Sequence, residues 1–179
     1  MSIIARYRNG NLITTLCSDG TRIRETDEDD FRPAFAENVD VHISDRCDNQ
    51  CPMCYANCTP DGNFADLFKW KFLDSLHPGT EMALNLNFPL HPDIEKFLYL
   101  LKEKEIVANA TVNQRHFEQN EESIKRLIDE KLIWGLGVSL TNATPEFVSR
   151  IQKYPNAVIH VINGILTEKD YFIRSEYEM

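Results

Sequence analysis

Four of the five cysteines crowd into the twelve residues from Cys47 to Cys58. The run Cys47-Asp48-Asn49-Gln50-Cys51-Pro52-Met53-Cys54-Tyr55 carries three thiols at spacings of four and three. Spacers this short let one loop wrap its sulfurs around a single small centre. Thiolate is the soft, anionic donor that iron–sulfur clusters and zinc both accept. Three ligands on a four-iron cube leave one iron open to something else. Cys58 makes a fourth thiol available, so an all-thiolate zinc site and a fully ligated cube are the alternatives. Zinc ribbons and fingers ordinarily join distant segments through two separated cysteine pairs, whereas four thiols in one loop would staple little. The reading taken forward is therefore an open iron–sulfur centre on Cys47, Cys51 and Cys54, with Cys58 a bystander. Cys17 lies apart and reads as a small buried apolar residue.

The elements that must position this loop are legible in the residue pattern. Asn9-Gly10 and Asp19-Gly20, each flanked by β-favouring runs, predict two tight hairpins between Ile3 and Arg24. Glu25, Asp27, Glu28, Asp29 and Asp30 form an acidic linker, and Pro33 marks irregular backbone beyond it. Strands are expected at Val39–Ser44, Met82–Asn87, Ile106–Asn113, Trp134–Leu140 and Ala157–Asn163. Helices are expected between them. One follows Pro92, one is capped by Asn120, one is opened by Thr144-Pro145, and a short last one is capped by Thr167 and Asp170. A further helix is expected from Phe64 to Leu76, before Pro78-Gly79. Strand and helix alternating five times argue for a parallel sheet with right-handed crossovers.

Each strand also alternates polar or small residues with apolar ones. His42 and Ser44 share a face, as do Asn85 and Asn87, then Asn109, Thr111 and Asn113, then Gly135, Gly137 and Ser139, with His160 in the fifth strand. Helices on the apolar face would leave a concave polar interior, so the expected fold is α/β. It is a partial, incomplete βα barrel of about five parallel strands with an N-terminal β-hairpin meander. A closed barrel takes roughly 250 residues, more than this chain has. The expected division is a meander and acidic linker over residues 1–38 and the partial barrel over 39–179. The cysteine loop then lies at the C-terminal ends of the strands, where barrel active sites gather.

With 42 % hydrophobic and 26 % charged residues, the 179-residue chain has the composition of a globular domain. Its 28 acidic against 19 basic residues give a net charge of −9, which disfavours nucleic acid and anionic membranes as partners. No run of about 18 apolar residues is present, and Arg6 and Arg8 interrupt the first apolar stretch. The expected location is cytoplasmic, where thiols stay reduced. Among the histidines, His42 and His160 are expected to face the interior, either handling substrate or protons or simply hydrogen-bonded there. His77 and His116 read as loop and His91 as a helix-entry residue. Trp70 and Trp134 read as core, and Met53 and Tyr55 as shields around the cluster.

The three-cysteine signature after a first strand, followed by αβ repeats from Val39 to Tyr171, resembles the radical S-adenosylmethionine superfamily. By that resemblance Cys47, Cys51 and Cys54 hold a [4Fe–4S] cluster whose fourth iron chelates the amino and carboxylate groups of S-adenosylmethionine. An external electron donor reduces the cluster, and a 5′-deoxyadenosyl radical abstracts hydrogen from a small-molecule or peptide substrate. The Asn85-Leu86-Asn87-Phe88-Pro89 segment stands where the family usually has a glycine-rich turn. Asn87 and Phe88 are thus cofactor neighbours, with the Asn87 side-chain oxygen facing an ammonium. The resemblance adds Asn113 and Ser139 at the third and fourth strand ends and Ile165 at the fifth-strand exit, against adenine. Only Glu168 to Met179 follow Thr167, too few for the sixth strand common in the family, so either the sequence is a shortened one or a partner chain covers the open edge. The remaining alternative is a non-catalytic iron–sulfur or zinc interaction protein descended from that fold.

Overall fold

The computed structural model describes residues 2–162 and 164. Its first element group is an antiparallel sheet of β1 (Ile3–Asn9), β2 (Leu12–Cys17) and β3 (Arg22–Glu25), in that order. Both predicted turns are present, and Gly10 and Gly20 hold the positive φ angles, +62° and +84°, that such hairpins need.

The second group is a five-stranded parallel sheet, β4 (Asn38–Val41), β5 (Glu81–Asn85), β6 (Val107–Asn113), β7 (Gly135–Leu140) and β8 (Ala157–Val161). Spatial order follows chain order, and the sheet is open, with β4 and β8 at its edges among the described residues. Helices α1 (Ile94–Glu103), α2 (Gln114–Asp129) and α3 (Pro145–Ile151) connect its later strands. Their buried stripes, including Phe97, Leu101, Phe117, Leu127 and Phe147, pack on Leu84, Leu86, Ala110, Val112, Leu136 and Val138 of the sheet. The other sheet face is polar, as the alternation requires. One registered rung sets Asn113 beside Ser139 beside His160, and the rung below it sets Asn85, Thr111 and Gly137 in line. Among the described residues, no helix is long and apolar enough to cross a membrane.

The expected helix from Phe64 to Leu76 is absent. Two short 3₁₀ turns, Leu67–Lys69 and Lys71–Ser75, stand there, split by extended backbone at Trp70 (φ −74°, ψ 98°). Leu67, Trp70, Leu73 and Leu76 recur every three residues and all face the core, which is the 3₁₀ period rather than the α period. A helical segment follows Asn120 as expected, but α2 as a whole begins earlier, at Gln114, its first turn capped by the Asn113 side chain, and Asn120 (φ −130°, ψ 22°) is the non-helical kink between the two segments. The Asn120 amide bonds the His116 carbonyl at 2.9 Å, a local competitor of helical bonding. The Thr144-Pro145 start of α3 is as expected, with Thr144 Oγ1 accepting from the Phe147 N–H at 3.2 Å. The last helix predicted around Thr167 and Asp170 lies outside the described residues.

Glu37 joins the two sheets. Its carboxylate accepts from Thr14 Oγ1 at 2.5 Å, Arg24 Nε at 2.6 Å and Asn9 Nδ2 at 3.3 Å, and Arg22 bridges it to Glu81 at the foot of β5. Burial opposes ionisation of Glu37, but the hydrogen bonds from Thr14, Arg24 and Asn9 outweigh it and hold the carboxyl below the usual range. A depressed folded value means stability present above the unfolded pKa and lost as pH falls through the folded one. Glu37→Gln is therefore expected to cost about 1.5–3 kcal/mol at pH 7, the worth of hydrogen bonds to a charged group. Denaturant titrations of both proteins should show the gap narrowing as pH falls below the ordinary carboxylate range; a gap independent of pH would remove Glu37 from the docking interaction.

Candidate metal centre

The cysteine loop leaves the end of β4 and is closed on itself by main-chain bonds. Cys47 N donates to Thr59 O at 2.9 Å, Thr59 N to Asp45 O at 3.0 Å, Asp45 N to Asn63 O at 2.9 Å and Ala65 N to Ile43 O at 3.0 Å. Gly62 is required by this closure, since a Cβ there would overlap the Asp45 carbonyl. Asn85 holds the strand exit, accepting from Ile43 N at 2.7 Å and donating to Ser44 O at 2.9 Å. The opposite flank is tied down by Asp48. Its N–H donates to Phe88 O at 3.0 Å, and its carboxylate meets Nε2 of His116 at 2.5 Å. His116 is therefore a buried α2 residue and not the loop residue expected, with its ring 5.3 Å from that of Phe88. Phe88 itself is buried and anchors the loop through its carbonyl.

Within this frame Cys47 is buried and Cys51, Cys54 and Cys58 are half-buried, all as free thiols. Burial pushes the Cys47 thiol up, and the neighbouring Cys51, Asp48 and Cys54 charges push it further against one stabilising N–H from Asn49. Cys54 goes the other way. Burial opposes its ionisation, but the N–H groups of Cys58, Ala56 and Asn57 surround its sulfur and hold its pKa below the ordinary thiol value. Cys51 Sγ receives Asn49 Nδ2 at 2.9 Å and stands 3.7 Å from Asn113 Nδ2 at the end of β6. Asn113 also caps α2 through Arg115 N, and Arg115 reaches Asn49. Ser139 follows on the same rung. Ile165 lies outside the described residues.

Other placements differ from expectation. The Tyr55 ring is 94 % exposed and shields nothing, because the turns Cys51–Cys54 and Cys54–Asn57 aim it outward. His42 is exposed and held by Asp45 at 2.8 Å, whereas His160 does stand on the polar sheet face as expected, solvent-accessible, with its ring across Gly137, where a Cβ would stand 2.6 Å from His160 Cε1. Trp134 borders a cavity and is not core. That cavity, about 500 Å³, lies between the β2–β3 turn at Asp19 and Gly20 and the polar sheet face at Asn109, Thr111 and His160.

Cys58 stands close to Cys54 in the same loop. Its N–H donates to Cys54 Sγ at 3.5 Å, and its own sulfur receives Asn87 Nδ2 at 3.5 Å and lies 4.0 Å from His42 Nε2. The signal available was its spacing of four from Cys54, the same as from Cys47 to Cys51. Asn87 Nδ2 also donates to Ser44 O at 2.9 Å, which leaves its oxygen as the end able to meet an ammonium.

Among the described residues, no three His, Cys, Asp or Glu side chains gather closely enough to hold one metal ion. Tetrahedral zinc, with Zn–S of about 2.3 Å, needs its sulfurs within about 4 Å of one another. An iron–sulfur cube takes each thiolate on a different iron and so spaces them more widely. Cys47, Cys51, Cys54 and Cys58 share one loop, and thiolate is the donor such a cluster takes. Compared with known proteins, the chain matches no family model, no curated protein and no solved structure.

Proposed function

We propose that this chain is a radical S-adenosylmethionine enzyme whose five parallel strands are part of a βα barrel. One observation carries the reading. Cys47, Cys51 and Cys54 share a single loop at the C-terminal end of the first parallel strand, facing strand ends that present Asn87, Asn113 and Ser139. Cys47, Cys51 and Cys54 would hold a [4Fe–4S] cluster. When bound and reduced by an external donor, that cluster supplies the electron that breaks the sulfonium C5′–S bond of S-adenosylmethionine, giving methionine and the 5′-deoxyadenosyl radical. The chain's own residues orient and enclose. Asn87 offers its oxygen to the cofactor's ammonium, and Asn113 and Ser139 line the approach.

Anaerobic reconstitution is expected to give about four irons per chain with a brown chromophore. Addition of S-adenosylmethionine and dithionite should then release 5′-deoxyadenosine. Stoichiometric zinc with no iron would sink the reading. The position of Cys58 favours a second one, a non-catalytic iron–sulfur or zinc protein with all four thiols engaged, which iron uptake without cleavage would support.

A further inference from the structure

We infer that the hollow between the meander and the polar sheet face is a binding site for a short aliphatic amine. The cavity holds about 500 Å³, within the range of about 300–1,000 Å³ usual for small-molecule sites. Small residues make it. On the polar face Asp40, Ala83, Asn109 and Gly135 stand on one registered rung, and Thr111, Gly137 and Val158 on the next. Ala83, Gly135 and Gly137 keep the floor low, and a Cβ at Gly135 or Gly137 would run into Asn109 or His160. Ile4 and residues 16–20 of the meander form the facing wall. Most of the sheet residues that line the hollow come from the first halves of their strands, whereas the cysteine loop leaves the far end of β4. The inference therefore does not rest on the proposed cluster.

The cavity makes the site, and its lining selects the ligand. Three carboxylates line it, Asp19, Asp40 and Glu81, and no lysine or arginine does. Glu81 is already held by Arg22 and Asn109, and Asp19 accepts from the Thr21 N–H at 3.1 Å. Asp40 has no hydrogen-bond or ion-pair partner among the described residues, and it stands solvent-accessible on β4. It is the carboxylate left for an ammonium. The body of an amine would lie on apolar wall. Val107 is buried here outside the main core, and Val158 is 59 % exposed, apolar surface that a bound ligand would cover. Trp134, at the entry to β7, adds an aromatic ring of the kind that attracts a cation over its face. An anionic ligand would meet repulsion from all three acids.

The test is a titration of the full-length chain with putrescine at low ionic strength, followed residue by residue in nitrogen-edited NMR spectra. Butanediol and succinate serve as neutral and anionic controls of the same carbon length. Saturable shifts are expected at the Asn109 side-chain amide and the Trp134 indole. The Trp70 indole, packed against Phe97 on the opposite sheet face, should stay unmoved. Asp40→Asn should weaken putrescine binding about fivefold, the worth of one charge contact in a water-like medium. Ala83→Leu fills the floor without changing charge and should abolish binding. Thermal unfolding checks both variants, and Asp40 is exposed on an edge strand, so its variant should fold whatever Ala83→Leu does. Absence of saturable shifts at Asn109 and Trp134, equal shifts with succinate or butanediol, or unchanged affinity in Asp40→Asn overturns the inference. Shifts confined to the acidic linker mean surface attraction only and overturn it as well. Iron uptake bears on none of these outcomes, so this inference and the functional reading fail separately.

Discussion

Cys51→Ala and Cys54→Ala are each expected to abolish the iron–sulfur chromophore on anaerobic reconstitution, and with it all production of 5′-deoxyadenosine. The loop offers few substitutes for a lost sulfur. Asn49 and Asn113 present N–H groups to Cys51, and the backbone around Cys54 presents N–H groups as well, so the surroundings stabilise an anion, and Cys58 is the one further soft donor in the loop. Both side chains are half-buried and lie outside the apolar core, so the fold should survive within about 0.5 kcal/mol, as surface substitutions generally do. Iron content and thermal unfolding measured on the same samples separate the two effects. Full iron retention in both Cys51→Ala and the double variant Cys51→Ala/Cys58→Ala would exclude Cys51 as a ligand.

The largest effect on stability is expected at Phe97. This α1 residue is fully buried and receives the edges of Phe68 and Trp70, with ring centroids at 6.3 and 5.8 Å. Phe97→Ala removes a whole ring from a packed core and is expected to cost about 3–5 kcal/mol, the usual range for that change. Tyr99→Ala, two residues on and exposed, should cost under about 1 kcal/mol, since its hydroxyl bond to Glu130 lies at the surface. Urea denaturation of the two variants tests the assignment. Near-equal losses would mean that α1 does not pack through this face. The Phe97 change should also loosen the 3₁₀ segment that follows the cysteine loop, because Phe68 and Trp70 lose the surface they rest on.

Much of the scaffold was legible from residue types because local rules and tertiary demands agree there. Asn9-Gly10 and Asp19-Gly20 turn where positive φ is needed, Thr144-Pro145 opens a helix, and the alternation along β6 and β7 separates an apolar face from a polar one. Misreadings arose where two periods or two roles compete. Leu67, Trp70, Leu73 and Leu76 satisfy a three-residue repeat that an α-helical search absorbs, and Asn120 looks like a cap although helix already precedes it. His116 is a different case. Its partner Asp48 is 68 residues away, and no local pattern announces such a pair.

For the site, the residues alone determined the donor chemistry. Three thiols at short spacing on a loop after a strand are a property of the chain, whatever surrounds it. Only the tertiary structure decided which other side chains share that rim. The parallel register sets Asn113, Ser139 and His160 on one rung, and the closure of the loop through Thr59 brings Cys58 against Cys54 and Asn87. The physical reason is that spacing constrains neighbours along the backbone, whereas contacts between residues tens of positions apart are set by strand register and main-chain hydrogen bonds.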